Sequence, residues 1–189
     1  MEINMNEHFK QLLKHLLYYL IALIVASFLV MEYQNYTAIK QQEVQQRIEE
    51  QRFKAEEANC LKNALWYEAG NQSLHGVMAV ASVIDNRKNH PDYPDTYCGV
   101  IKQPKQFSYT LLNKPDIEQV LHKFRPMEST AYQNVEYVAD EMIYGKFEPV
   151  LDRSVRFYAA KYISNYWTKT KKVAARIGDH VFYKDKEKK

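Results

Sequence analysis

CLKNALWYEAGNQS, residues 60–73, reads as the last turns of a helix that stops at Gly70 and carries one acid, Glu68, beside Trp66 and Tyr67. Gly is the commonest residue just past a helix end, because it enters the left-handed region without steric cost. The next segment, HGVMAVASVIDNR (75–87), spaces Val77, Val80, Ala81 and Ile84 at three- and four-residue steps, which predicts a second helix with one apolar face. PDYPDTYCG (91–99) is rich in Pro and Asp and predicts a loop. Residues 127–144 repeat the helical spacing through Ala131, Val135, Val138 and Met142 up to Gly145. After that the period changes to two. In SVRFYA (154–159) and VAARIGDHVFYK (173–184) apolar residues alternate around a Gly178-Asp179 turn, the pattern of short strands. The fold class expected is α+β, mainly helical.

Upstream the composition is different. LLYYLIALIVASFLVM (16–31) carries no charge, and its 16 residues span about 24 Å as a helix. With Leu12, Leu13, a snorkelling Lys14 and Tyr33 the run reaches roughly 33 Å, enough for a bilayer. Lys10 and Lys14 precede it and Glu32 follows, so the positive-inside rule places the N-terminal side in the cytoplasm. VASFLVMEY (25–33) offers no small-residue cleavage site, which favours an anchor over a removed signal peptide. QNYTAIKQQEVQQRIEEQRFKAEEA (34–58) is a polar helical spacer whose few apolar residues are too irregularly placed for a heptad. The organisation expected is an anchor over 1–33, a linker over 34–59, a catalytic domain over 60–184 and a charged tail over 185–189.

The 189 residues carry a net charge of +3, 46% apolar and 26% charged residues, a globular composition. Residues 152–189 hold 11 Lys/Arg against 4 Asp/Glu, a basic end without a nucleic-acid-binding motif. The six His and two Cys form no HExxH, CxxC or His/Cys cluster, so neither metal nor cofactor is implied. Nothing in the sequence fixes an oligomeric state.

CLKNALWYEAGNQS, GVMAVASVIDNR (76–87), YPDTYCGVIKQ (93–103) and QFSY (106–109), in that order, resemble the SleB-type (spore-cortex-lytic) cell wall hydrolase family. FYAAKYISNYW (157–167) and RIGDHVFYK (176–184) are similar to its closing segment. The resemblance implies a lysozyme-like fold and cleavage of peptidoglycan between N-acetylmuramic acid and N-acetylglucosamine, with Glu68 as the matching acid. The residues agree with that role. Glycosidic cleavage needs a protonated carboxylic acid at the leaving oxygen, and a helix C-terminus flanked by rings disfavours the charged form. Gln106, Phe107, Ser108 and Tyr109, with Tyr158 and Trp167, are expected to line the cleft, since amides and hydroxyls bond sugar hydroxyls and rings stack on them. Cys60 and Cys98 recur together in the family, which makes them a disulfide candidate.

Asp85, Asp92 and Asp95 are the nearest carboxylates that a two-carboxylate glycosidase would use, and none is persuasive. The expected reaction is therefore that of a lytic transglycosylase, in which Glu68 alone serves and a 1,6-anhydromuramoyl end forms. A muramidase using water and a non-catalytic peptidoglycan-binding envelope protein stand as alternatives. A peptidase built on Cys98 with His122 or His180 is the rival chemistry. Gly70 stands where the family usually has Arg, Tyr109 where it has Trp, and Phe157 and Ala159 where it often has two His.

Overall fold

Ser73, Thr96 and Ser129 each have extended backbone angles and accept a hydrogen bond from the backbone N–H three residues on, at 3.4, 3.0 and 3.2 Å. Such hydroxyl caps satisfy donors that a helix start leaves free. They open α2 (Leu74–Lys88), α3 (Tyr97–Ile101) and α5 (Thr130–Ile143). The computed structural model describes residues 3–112, 114–117, 119–120, 129–164 and 166–186. Of the helix expected over 127–144, positions 127 and 128 lie outside the described residues, as does His122. The remaining elements are α1 (Ile3–Ala69), α4 (Ser108–Leu111), α6 (Tyr166–Thr170) and strands β1 (Val155–Ala160), β2 (Lys172–Ile177) and β3 (His180–Lys184).

The chain divides into two compact units, Met1–Gln51 and Arg52–Lys189. The first is helical, and Leu12, Leu16, Leu20, Ile24, Phe28 and Val30 on it are all exposed. Among the described residues, α1 is the one helix long and apolar enough to cross a membrane.

The second unit is organised around α2. The spacing predicts one buried face, but Gly76, Val77 and every residue from Ala79 to Arg87 are buried. The reason is that α2 is wrapped by α3, α5, β1 and β2, so its far side faces protein too. The polar residues this buries are put to structural use. Ser82 accepts from Val150 N at 2.9 Å and donates to Met78 O. Asn86 donates to the carbonyls of Asp152 and Val155, both at 2.9 Å. Asp85 accepts from Tyr97 Oη at 3.0 Å and from Arg153 at 2.5 Å. Burying these groups without partners would cost about 1–3 kcal/mol each; paired, they fix the 150–156 loop and β1 onto α2.

PDYPDTYCG contains a helix that composition concealed, because Thr96 caps α3 and Glu57 accepts from the N–H groups of Tyr97 (2.6 Å) and Cys98 (3.0 Å). Beside this clamp Cys60 and Cys98 form a disulfide with Cα atoms 5.3 Å apart. A bridged thiol is no nucleophile, so the structure removes the Cys98 peptidase chemistry.

The strands form an antiparallel sheet in the order β1-β3-β2, with Tyr158 opposite Phe182 and Ala160 opposite His180. Gly178 lies at φ 57°, the left-handed conformation that its place in the β2–β3 turn demands.

Candidate active site

Glu68 occupies the last turn of α1, and its two carboxylate oxygens have different neighbours. Oε1 accepts from Ser108 N at 3.1 Å and Ser108 Oγ at 3.2 Å; Oε2 accepts from Tyr158 Oη at 3.1 Å. Ser108 is delivered by the first turn of α4 and Tyr158 by the middle of β1. Residues 40 and 90 positions away thus converge on one side chain.

The carboxyl group opens into a cleft of about 620 Å³ lined by Trp66, Asn71, Tyr162, Asp179 and His180 as well as Ser108. That volume lies within the ~300–1,000 Å³ range of ligand sites. One wall is stiffened by Tyr67, which stacks on Tyr109 (centroids 5.2 Å, planes 17° apart) and donates to Pro115 O at 2.7 Å. Burial and the nearby Glu68 and Asp116 charges push the Tyr109 phenol up to about 12. Burial, followed by the Glu68 charge, also pushes the Tyr158 phenol up. Both remain protonated donors near neutral pH.

The sequence-derived residues separate in space. Ser108 and Tyr158 hold Glu68 directly, and Tyr109 backs the wall through Tyr67. Gln106 and Trp167 line a neighbouring cavity that also includes Tyr158. Phe107 corrects the expectation: it is wholly buried in the core, beneath the Arg87 guanidinium, and cannot meet a sugar. Gln106 and Ser108 on either side of it are exposed, while Tyr109 is half-buried against Tyr67.

Three carboxylates considered from sequence lie elsewhere. Asp85 is buried against Tyr97 and Arg153, Asp92 is exposed beside His90, and Asp95 lines a cavity with Lys88 and Tyr97. Asp179 lines the Glu68 cleft instead. It pairs with Lys161 at 2.5 Å and accepts from Gln72 Nε2 at 3.3 Å, and Lys161 first of all holds its carboxyl below the usual range. Gln72 Oε1 in turn accepts from Asp179 N at 3.0 Å. His180, beside it, is lowered by burial and stays neutral at pH 7. RIGDHVFYK contains both residues, but only the β2–β3 hairpin packed against the α1–α2 loop places them here.

Gly70 also lines the cleft. A Cβ there would approach Trp66 O to 2.6 Å, so the Arg that the resemblance expects does not fit this backbone without a shift.

A profile of the cell wall hydrolase family matches residues 71–183, more than half of the chain. The chain belongs to the cell wall hydrolase family. Glu68 precedes the matched segment, so its place in the site rests on the geometry above. A spore cortex-lytic enzyme from Oceanobacillus iheyensis is 38% identical over 58 residues, 31% of this chain and 21% of that protein. The match therefore spans about a fifth of the relative's length. Among solved structures, the catalytic domain of the Bacillus cereus SleB protein is similar with a TM-score of 0.50 and 24% identity, covering 68% of this chain and 89% of that one. The catalytic domain of the germination-specific lytic transglycosylase SleB from Bacillus anthracis gives a TM-score of 0.49 at 24% identity, covering 68% and 93%. At 24% identity the likeness to the Bacillus cereus domain concerns the fold, a mainly helical domain with a small antiparallel sheet.

Proposed function

We propose that residues 60–184 form a lysozyme-like domain that cleaves peptidoglycan glycan strands between N-acetylmuramic acid and N-acetylglucosamine as a lytic transglycosylase. The observation that carries this reading is the asymmetric hold on Glu68. Ser108 N–H is an obligatory donor, whereas the hydroxyls of Ser108 and Tyr158 can donate or accept. When Glu68 is protonated its proton therefore sits on Oε2, which still accepts from Tyr158 while its O–H is free to point into the cleft. Oε2–H protonates the leaving glycosidic oxygen as the bond from that oxygen to the muramoyl C1 breaks. The resulting carboxylate takes the proton of the muramoyl C6 hydroxyl, whose oxygen closes onto C1. Atoms balance without water, and the product carries a 1,6-anhydromuramoyl end.

A second reading has one specific support, the ionised Asp179 in the same cleft. A retaining or inverting muramidase needs a second carboxylate, as partner or base for water. Mass spectrometry of fragments released from purified sacculi separates the two readings. The anhydro end is expected, about 18 Da lighter than a hydrolysed reducing end. Release of reducing ends alone would replace the transglycosylase by the muramidase. Binding without release would leave a wall-binding envelope protein.

Residues 12–33 are the membrane anchor in this proposal, with 34–59 as linker, the catalytic domain on the exported side and 185–189 as a charged tail. Support comes from the contiguous exposed apolar side chains of the first unit, since soluble surfaces rarely leave patches of that extent in water. A reporter fused after Lys189 is expected to be active only outside the cytoplasm, and the full chain to sediment with membranes. A mature N-terminus near Met31 would overturn the anchor.

A further inference from the structure

Next to the Glu68 cleft lies a cavity of about 290 Å³ whose wall combines Arg87, Lys105 and Lys171 with Phe157, Tyr158 and Trp167. Among the described residues, no Asp or Glu is part of that wall. The cavity is tied to the Glu68 site at two points: Tyr158 belongs to its lining and donates to Glu68, and Gln106, also in the lining, stands two residues before Ser108.

The three cations are satisfied to different degrees. Lys171 pairs with Asp185, which also takes Arg156, and its Nζ sits 4.0 Å from the Phe157 ring centroid. Arg87 is only 4% exposed. Its Nε donates to Arg156 O at 2.8 Å and its guanidinium packs on Tyr93, Phe107 and Phe157, yet Nη1 is buried with no hydrogen-bond partner. A buried charge without a counter-ion is unusual, because desolvation is recovered only through pairing. Lys105 is exposed, has no acidic partner among the described residues, and lies at φ 63°, the left-handed conformation that a residue with a Cβ resists. Strain of this kind persists where the surroundings impose it, commonly at ligand clamps. The lining cations Arg87, Lys105 and Lys171 have two acids nearby, Asp185 paired with Lys171 and Glu68 held behind Tyr158.

We propose that this cavity binds a carboxylate carried by the muramic acid residue of the strand being cut, the lactyl carboxylate or the free α-carboxylate of an attached peptide stem. The inference rests on the glycan-cleaving reading and specifies what that site selects. The N-acetylated sugar rings are neutral, so only muramic substituents bring negative charge beside Glu68. At about 290 Å³ the space suits a substituent and not a further disaccharide. The exposed Lys105 ammonium can meet a carboxylate directly, with the buried Arg87 charge behind it adding to the attraction.

The test uses full-length protein in detergent carrying Glu68→Gln, so that binding is read without cleavage. The probes are muropeptide-bearing glycan fragments with free stem carboxylates, the same fragments amidated, and peptide-free glycan with its lactyl carboxylate free or amidated. Amidation is expected to weaken binding at least ~5-fold in whichever pair supplies the ligand, stem or lactyl, and Lys105→Gln to bring the free-to-amide ratio close to one. Lys105→Gly adds a readout that a structural role would not produce: melting should rise as the strained backbone relaxes, while discrimination is lost. Equal binding of free and amidated probes in both pairs would overturn the proposal. Full discrimination retained by Lys105→Gln would do so as well. If the wild type solubilises sacculi while discrimination is absent, only the carboxylate cavity fails; if it neither binds nor cuts them, the proposed function fails first.

Discussion

Replacing Glu68 with Gln is expected to cut turnover of sacculi at least about 100-fold while binding to them survives. Gln keeps the shape and still accepts from Ser108 N through its carbonyl oxygen, so the hold on that side of the carboxyl group is preserved. Only the transferable proton on the Tyr158 side is lost. Tyr158→Phe removes the hydroxyl that faces Oε2 and should lower kcat roughly tenfold, with KM changed little, because it acts through the acid. Asp179→Asn is the informative partner. A transglycosylase should tolerate it with a small loss, whereas a muramidase that uses Asp179 should lose nearly as much as with Glu68→Gln. Full activity in Glu68→Gln would remove Glu68 from the reaction altogether.

Loss of the Cys60–Cys98 bridge is expected to be the largest stability effect in the second unit, about 4 kcal/mol in the chain-entropy description of a 38-residue separation. The bridge joins α1 to α3 at the point where Glu57 also clamps the α3 backbone, so the Cys60→Ser, Cys98→Ser double variant should loosen α3 first. Urea unfolding monitored with and without reductant reads the effect. Labelling the denatured, unreduced protein should find no free thiols; two per chain would contradict the bridge.

Local chemistry made much of the fold readable. Gly70 and Gly145 marked helix ends within a residue or two, and period-two alternation around Gly178 gave β2 and β3. The WYEA run drew attention to Glu68, and the family resemblance to the residues around it. What stayed hidden depends on partners distant in sequence. The spacing in α2 cannot reveal that its far side is also covered, because that cover comes from elements as late as β1 and β2. α3 escaped notice since Pro and Asp dominate its approach, although Thr96 held the capping information. Asp179 is not legible as a cleft residue because only a hairpin more than a hundred residues downstream brings it to the wall that Glu68 shares. Phe107 looked like its neighbours, and nothing in QFSY says which ring turns inward. Arg87 ended a helix pattern like an ordinary basic last turn, yet it is buried under three aromatic rings.

The Gln72 contact with the β2–β3 turn also constrains how this chain can diverge. A Cβ at Gly178 would meet Gln72 Oε1 at 2.2 Å, and that oxygen is occupied by Asp179 N–H. Any larger residue at 178 must therefore displace the Gln72 amide and break its bond with Asp179 N–H, leaving Asp179 held through Lys161 alone, beyond the cost of its left-handed backbone. A shorter residue at 72 relieves the clash but abandons the same hydrogen bonds. Positions 72 and 178 are consequently epistatic: the effect of a change at one depends on the residue at the other. Mutational routes that alter the turn should pass through position 72 before position 178.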